Sequence, residues 1–343
     1  MERDRHPVGG AAPGRPAVSV IAAVLDERDH IDDVLASLQA QDYDGPIEVV
    51  VADGGSTDGT LDALERWTDK WPAVRVIHNE RCVQSHGLND AARVATGTVL
   101  VRADGHTTYA TDYVARSVQA LLGSEAVAVG GNQTPVGLTP TGRAIADVMR
   151  SPAGVGPGAF HHAREVREAD TVYLGAFRRD DFLAIGGYRH LPSGTTEDAD
   201  LFYRLRRAGG LVLLDPSIRS VYRTRDRISD LWFQSVRYGL GKAEFLWVES
   251  RFPSWRPLAP LVLVLGLVAG GVLASRGRSS PLAVTTGGWL GVIGSVVHRS
   301  SGTSAHRRRV AVVTTVMQLG YGVGLLWGLM RGPAGLEHLD RTA

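Results

Sequence analysis

A carboxylate and an imidazole stand two residues apart at the end of an apolar run, in the stretch VLVRADGHTTY (residues 99–109). Residues i and i+2 of an extended chain point to the same side, so Asp104 and His106 can converge on one small ligand just beyond the strand. A divalent metal ion is one such ligand, and a turn with two solvated polar residues is the alternative. Taken alone, this stretch favours the turn.

Alternating strands and helices are predicted around this stretch. The apolar runs VSVIAAVL, IEVVVA, VRVIH and TVLVRA read as strands, and segments with helical spacing separate them. Such alternation predicts a parallel sheet with helices on its faces, which binds ligands at the carboxyl ends of its strands. Asp26 and Glu27, Asp53, and Asp104 follow three of these strands. Carboxylates that three strands bring to one edge favour the metal interpretation.

Composition excludes several classes of protein. A chain of 343 residues with a net charge of +1 does not resemble a nucleic-acid binder, which normally has a concentrated basic face. Cys82 is the single cysteine, so there is no internal disulfide framework, and a reducing compartment is indicated. Residues 1–16 are rich in Pro, Gly and charge, which predicts a disordered tail rather than a signal peptide.

The C-terminal third reads as a membrane domain over residues 257–331. Three apolar segments, 258–274, 281–298 and 310–330, approach the roughly 20 residues needed to cross a bilayer. Three buried helices of a soluble protein are the alternative. Glycines at spacings typical of close helix contact recur in all three segments: Gly266, Gly270, Gly271, Gly287, Gly288, Gly291, Gly294, Gly320, Gly322, Gly324 and Gly328.

The connectors between these segments predict an orientation. Arg276 and Arg278 lie in the first connector, whereas the second carries Arg299 and the run of residues 307–309. The more basic connector is expected in the cytoplasm, which also places residues 17–250 there. We therefore expect a multi-pass protein of the plasma membrane whose soluble domain faces the cytosol.

Four motifs resemble those of the family 2 inverting glycosyltransferases of the GT-A fold. They are VSVIAAVLDER, VVVADGGSTDGT, RADGH and TEDADLFYRLRRAGG, and they occur in the family's order. Asp26 stands where the family usually has Asn, and His106 takes the last position of an Asp-x-Asp site. The segment GAFRR and the C-terminal anchor are similar to succinoglycan-biosynthesis glucosyltransferases. The resemblance implies an α/β GT-A domain, Rossmann-like and mostly parallel, over residues 17–250.

The resemblance also implies roles for the donor-binding residues. Asp53, with Glu27 beside it, would bind the base of a UDP-sugar, since a carboxylate accepts the N3–H of uracil. An Asx turn is the alternative for Asp53. Asp104 and His106 would hold Mn²⁺ or Mg²⁺ against the donor diphosphate, and imidazole is more natural for Mn²⁺.

The resemblance of TEDADLFYRLRRAGG to the family's Glu-Asp helix implies that Asp198 is the catalytic base, and inversion needs a group that takes the acceptor's proton. Favourable charge at a helix N-terminus is its alternative role, and nearby Asp200 is expected to face elsewhere. The resemblance also assigns five residues to the acceptor and diphosphate side of the site: Glu197, Arg179, Gln234, Arg237 and Tyr238. Arg179 could equally be a solvated surface residue, and Tyr238 occupies a position where the family has Trp.

The sequence thus predicts a membrane-anchored, metal-dependent transferase that moves one hexose, glucose or a relative, from a UDP-sugar to a polyprenyl- or lipid-linked saccharide in surface or exopolysaccharide synthesis. A nucleotidyltransferase should carry a basic, Gly-rich loop after the first strand, where LDERDH is acidic. GLGK (residues 239–242) lacks the spacing of a phosphate-binding loop. A catalytically silent nucleotide-sugar-binding scaffold remains the alternative, and the oligomeric state stays open.

Overall fold

The computed structural model describes residues 15–155, 163–250, 257–333 and 336. Most of the predicted N-terminal tail, residues 1–14, lies outside this range. In the described chain, nine strands form one sheet: β1 Val18–Val24, β2 Ile47–Asp53, β3 Val74–His78, β4 Val99–Asp104, β5 Thr107–Tyr109, β6 Ala126–Val136, β7 Arg167–Glu168, β8 Tyr173–Arg178 and β9 Leu211–Arg223.

Helices follow most of these strands. Those of the soluble part are α1 Ile31–Gln39, α2 Thr60–Lys70, α3 Gln84–Val94, α4 Tyr113–Leu122, α5 Pro140–Met149, α6 Pro152–Val155, α7 Arg179–Ala184, α8 Glu197–Arg207 and α9 Ile228–Glu249. The C-terminal helices are α10 Leu258–Ala274, α11 Ser280–Arg299 and α12 Ser304–Arg331.

The sheet is mixed and mostly parallel, in the order β3-β2-β1-β4-β8-β6-β9-β5, with β7 paired to β9. The first four strands of this order are parallel, as the alternation predicted. β8 runs antiparallel between β4 and β6, and β5 and β7 pair antiparallel with β9. The reversal at β8 sends the end of that strand to the sheet edge opposite the end of β4.

Both faces of the sheet are buried, which explains the continuous apolar runs of its strands. In β1, Val20 and Ala22 pack into the cluster with α1, α2 and α4, whereas Ile21 packs into the opposite cluster. In β4, Leu100 lies on that second face, which Leu201 of α8 also covers. Arg102 and Asp104, which follow Leu100 at alternate positions of β4, therefore face α8.

The C-terminal helices pack onto the soluble domain. α12 runs along α9 with its backbone close to that helix, because a Cβ at Gly324 or Gly239 would overlap main-chain atoms of the partner helix. A further cluster joins Ile145 of α5, Val296 of α11 and Val310 of α12. The last helix is thus fixed against the helix that follows the sheet.

By length and composition, two helices of the described chain could cross a membrane, α11 and α12, while α10 is apolar but has only 17 residues. Close contacts at glycines are confirmed at Gly270 of α10, which meets Leu282, and at Gly322 of α12, which meets Pro260. No described atom comes within 4 Å of an added Cβ at Gly271 of α10. In α11 the expectation of such contacts is wrong within the described chain: no atom comes within 4 Å of an added Cβ at Gly287, Gly288, Gly291 or Gly294.

Candidate functional site

The predicted acidic edge forms where β1, β2 and β4 end. The register pairs Val24 with Asp53 and Ala23 with Asp104, so both carboxylates flank the end of β1. The chain that leaves β1 carries Glu27 across this edge, where its side chain packs on Gly105. Three strands deliver acidic side chains to one place, as the sequence predicted.

His106 lies against Glu27 in the turn after β4. The imidazole Nδ1 is 2.8 Å from Glu27 Oε1, and both side chains are largely buried. The ring of Tyr222 packs edge-on against the imidazole, with 5.3 Å between ring centroids. The Glu27 carboxylate therefore fixes the orientation of the imidazole.

These residues fit a divalent metal ion. A carboxylate on one ring nitrogen of a histidine is the usual partner of metal-binding imidazoles, and it leaves Nε2 as the ligand atom. Within the described residues no group of three or more His, Cys, Asp or Glu could hold a metal ion. The protein would supply Asp104 and His106 only, as is common where phosphate oxygens and water complete the coordination of Mg²⁺.

Arg102 joins the edge to the start of α8. Its Nε donates to Asp104 Oδ1 at 3.1 Å and its Nη2 donates to Glu197 Oε1, also at 3.1 Å. Arg102, Asp104 and Glu197 are all buried. Burial raises the pKa of Glu197 to about 7, although the Arg102 charge acts in the opposite direction. Arg102 thus brings the predicted metal ligand and the predicted base-bearing helix into one cluster.

Asp198 lies at the start of α8 beside this cluster. The preceding Thr196 adopts a left-handed backbone, with φ of 72°. Asp198 Oδ1 accepts a hydrogen bond from the backbone N–H of Ala199 at 2.6 Å, so the alternative role at the helix N-terminus is also present. Asp200 points away into an ion pair with Arg204, as expected.

Asp53 closes the turn that follows β2. Its Oδ2 accepts the hydroxyl of Ser56 at 2.6 Å and its Oδ1 the backbone N–H of the same residue at 3.1 Å. Its side chain is almost completely buried. The turn alternative is therefore realised, and base binding by Asp53 stays a proposal. A polar cavity of about 350 Å³ opens near this turn, between residues 25–30, Asp58 and Arg225.

The predicted residues of α9 contact two different parts of the site. Gln234 Nε2 lies 3.4 Å from the hydroxyls of Tyr222 and Tyr238, close to His106. Arg237 instead donates to the carbonyls of Ser193 and Gly194, at 3.1 and 3.4 Å. That guanidinium holds the loop before α8.

Arg179 does not join the other predicted residues. Arg178, which precedes it, pairs with Val99 at the amino end of β4, and the backbone N–H of Arg179 bonds to Thr98. Its Nη2 donates to the carbonyl of Arg93 at 3.2 Å. The antiparallel direction of β8 thus places Arg179 at the opposite edge of the sheet from Asp104. We correct its assignment to the acceptor side.

Two site residues, Arg102 and Tyr173, received no individual role from the sequence. Arg102 shares a strand face with Asp104, and this i, i+2 spacing was a usable signal. Tyr173, at the start of β8, donates to or accepts from Thr107 at 2.8 Å and packs its ring on Tyr222. No spacing in the sequence connects Tyr173 with β5.

Comparison with known proteins agrees with this geometry. The family profile described as Glycosyl transferase family 2 matches residues 19–177. The succinoglycan biosynthesis protein ExoA of Rhizobium meliloti is 32% identical over 258 residues, which cover 74% of this chain and 77% of that protein. The chain belongs to glycosyltransferase family 2. This confirms the resemblance seen in its motifs.

Two further proteins are similar to this family 2 glycosyltransferase at lower sequence identity. A dolichyl N-acetyl-alpha-D-glucosaminyl phosphate glucuronosyltransferase of Methanococcus voltae, which transfers a diacetamido-dideoxy sugar by its name, is 23% identical over 75% of this chain and 82% of its own. A mannosyltransferase of Pyrobaculum calidifontis, solved with GDP-mannose and Mn²⁺, superposes with a TM-score of 0.57 at 20% identity. The superposition covers 95% of this chain and 91% of that one. The likeness supports the GT-A fold of this family 2 chain.

Proposed function

We propose that this glycosyltransferase is a metal-dependent, inverting hexosyltransferase. It moves one sugar from a UDP-sugar to a lipid-linked saccharide at the cytosolic face of the plasma membrane. The observation that carries the proposal is the pair of hydrogen bonds from Arg102 to Asp104 and Glu197. They connect the candidate metal pair with the helix that bears Asp198, so donor and base can meet at one sugar.

Each residue has a defined task in this proposal. Asp104 and His106 hold the divalent metal, with Mn²⁺ or Mg²⁺ as candidates, and Glu27 orients His106. When bound, the metal neutralises negative charge on the departing diphosphate. Asp198 accepts the proton of the acceptor hydroxyl as that oxygen attacks the anomeric carbon. Glu197 stays with Arg102 and keeps the start of α8 in place.

The donor side is argued from the turn after β2 and the cavity near it. Asp53 and the cavity beside residues 25–30 would bind the nucleotide base, in line with the resemblance of VVVADGGSTDGT to a uracil-binding turn. The Pyrobaculum protein binds GDP-mannose. Donor tests must therefore include both nucleotides.

The acceptor side is argued from the C-terminal helices. α11 and α12 have the length and composition of membrane spans, and α12 packs along α9, which holds the loop before Asp198. A membrane anchor fixed in this way would keep the site near a lipid-linked acceptor and raise its effective concentration there. The arginines at residues 307–309, in the first turns of α12, support the cytosolic orientation.

The test is sugar transfer in membranes that contain the protein. Radiolabelled UDP-glucose, UDP-galactose, UDP-N-acetylglucosamine and GDP-mannose are each supplied with native lipid extract and either Mn²⁺ or EDTA. We expect label in the lipid fraction from a UDP-sugar, abolished by EDTA. Transfer only from GDP-mannose would overturn the UDP assignment, and transfer that survives EDTA would overturn metal dependence. No transfer from any donor would contradict the proposed transferase activity and favour a catalytically silent binding protein.

A further inference from the structure

One face of α9 holds the loop of residues 193–196, which leads into Glu197 and Asp198. Arg237 donates to two carbonyls of this loop, and Glu244 accepts the backbone N–H of Ser193 at 3.0 Å. Between them, Gly241 lies so close that an added Cβ would stand 2.5 Å from Thr196 Oγ1. α9 therefore fixes the approach to the catalytic base.

The neighbouring stripe of α9 consists of Gln234, Tyr238 and Lys242, four residues apart. Residues with this spacing lie along one side of a helix. Gln234 contacts Tyr222, whose ring packs on His106, so this end of the stripe lies near the candidate metal site. The other end is Lys242, which directly follows Gly241. An added Cβ at Gly241 would stand 2.5 Å from Thr196 Oγ1, two residues before Asp198. The charge of Asp198 acts on the lysine at this position.

Lys242 is a partly buried cation that pairs with no anion in the part of the chain that the structure describes. Its Nζ lies 5.0 Å from the ring centroid of Phe245 on the same helix. Among the described residues it forms no ion pair or hydrogen bond, and Asp198 is not within ion-pair distance. Burial lowers the pKa of Lys242 below its ordinary value, and the Asp198 charge offsets only part of this. A desolvated cation whose only described partner is an aromatic ring lacks a counter-charge, which points to an anionic ligand.

We propose that Lys242 binds a phosphate oxygen of the lipid-linked acceptor. This inference rests on the proposed function and specifies the phosphate as the group of the acceptor that the enzyme recognises. Two substrates carry phosphate, the donor sugar nucleotide and the lipid-linked acceptor. The position of Lys242 on the side of the catalytic base favours the acceptor. In an in-line displacement the base lies on the opposite side of the anomeric carbon from the leaving diphosphate. The donor diphosphate belongs to the side of Asp104 and His106, and a cation beside Asp198 faces the acceptor.

The chain offers a direct test, because Lys70 and Lys242 are its only lysines. The full-length protein in detergent is treated with an amine-reactive reagent, and labelling of each lysine is followed by mass spectrometry. The probes are farnesyl phosphate, farnesol, and UDP with Mn²⁺. We expect farnesyl phosphate to slow labelling of Lys242 several-fold while farnesol and UDP with Mn²⁺ do not. Exposed Lys70 on α2 is the internal control and should react equally in all samples.

Each other result overturns the inference. Protection of Lys242 by UDP with Mn²⁺ alone would assign it to the donor diphosphate. Equal protection by farnesol would show that the lipid chain covers the lysine without a phosphate contact. No protection by any probe would show that Lys242 binds neither. Because labelling needs no turnover, this outcome is distinct from failure of the proposed transferase, which would leave transfer absent whether or not Lys242 is protected.

Kinetics gives a second readout. Replacing Lys242 with Met removes a charge-assisted hydrogen bond, and we expect the KM for the lipid acceptor to rise by about 10- to 100-fold with a nearly unchanged KM for the donor sugar. Lys242→Arg should restore most of the acceptor affinity. A rise confined to the donor KM would contradict the assignment. The matched variant Lys70→Met should leave both constants unchanged.

Discussion

Arg102 donates from Nη2 to Glu197 at 3.1 Å, across 95 residues of sequence, while its Nε bonds to Asp104 at the same distance. One buried guanidinium thus neutralises a carboxylate at the end of β4 and a carboxylate at the start of α8. This residue holds the two halves of the candidate site together.

Replacing Arg102 with Met should strongly destabilise the protein. At pH 8, where Glu197 is ionised as well as Asp104, the substitution leaves two buried carboxylates without their cation. Loss of one partner from a buried ion pair costs about 3–5 kcal/mol. Thermal unfolding in detergent is the measurement. Arg116→Met is the control, since its i, i+4 pair with Asp112 is exposed and should contribute less than about 1 kcal/mol. Equal unfolding temperatures for the two variants would contradict the prediction.

Replacing Glu27 with Ala should weaken Mn²⁺ binding by about 10- to 100-fold, the usual effect of removing the carboxylate that orients a metal-binding histidine. The cause is loss of the 2.8 Å contact to His106 Nδ1. Electron paramagnetic resonance of free Mn²⁺, titrated in the presence of UDP, measures this without catalysis. Glu65→Ala, at an exposed position of α2, should bind Mn²⁺ like the wild type. An unchanged affinity in Glu27→Ala would mean that His106 is not a ligand.

The pH dependence of stability should report Glu197. Its pKa is raised from 4.5 to about 7 by burial, so between these values the folded protein binds more protons than the unfolded chain. The free energy of unfolding therefore falls as pH rises from about 4.5 to about 7, and this contribution then stays constant. Unfolding temperatures from pH 5 to 8 should show that Glu197→Gln loses less stability than the wild type over the same rise. Parallel curves would disagree with a protonated, buried Glu197.

Replacing Gly241 with Ala should impair catalysis. The new methyl group would overlap the hydroxyls of Thr195 and Thr196 and displace the loop that leads to Asp198. A shift of about 1 Å in a catalytic group can cost about 100-fold in rate, and we expect kcat to fall by that order. Gly271→Ala in α10 is the control, because no described atom lies within 4 Å of its added Cβ. A kcat for Gly241→Ala equal to that of the control would be evidence against this role of α9.

The sequence predicted the parts of the site that depend on local pattern. Apolar runs followed by Asp53 and Asp104 indicate strands whose carboxyl ends meet, because parallel strands share direction, and the structure confirms this. The direction of β8 has no such signal, which is why Arg179 was assigned to the wrong edge. The partner of Arg102 could not be predicted either, since only the packing of α8 on the Leu100 face brings Glu197 to it. The hydrophobic period and residue spacing of a segment can be read from that segment alone, whereas its long-range packing depends on distant parts of the chain.

Substitution of Asp198 is the most direct test of its role as the catalytic base. Asp198→Asn is compared with Asp180→Asn, whose side chain is 98% exposed on α7. Sugar transfer to the lipid fraction is measured together with binding of UDP and Mn²⁺. We predict that Asp198→Asn loses at least about 100-fold of the transfer rate, with nucleotide and metal binding intact, and that Asp180→Asn matches the wild type. Transfer by Asp198→Asn at the wild-type rate would contradict the central claim that this carboxylate takes the acceptor's proton.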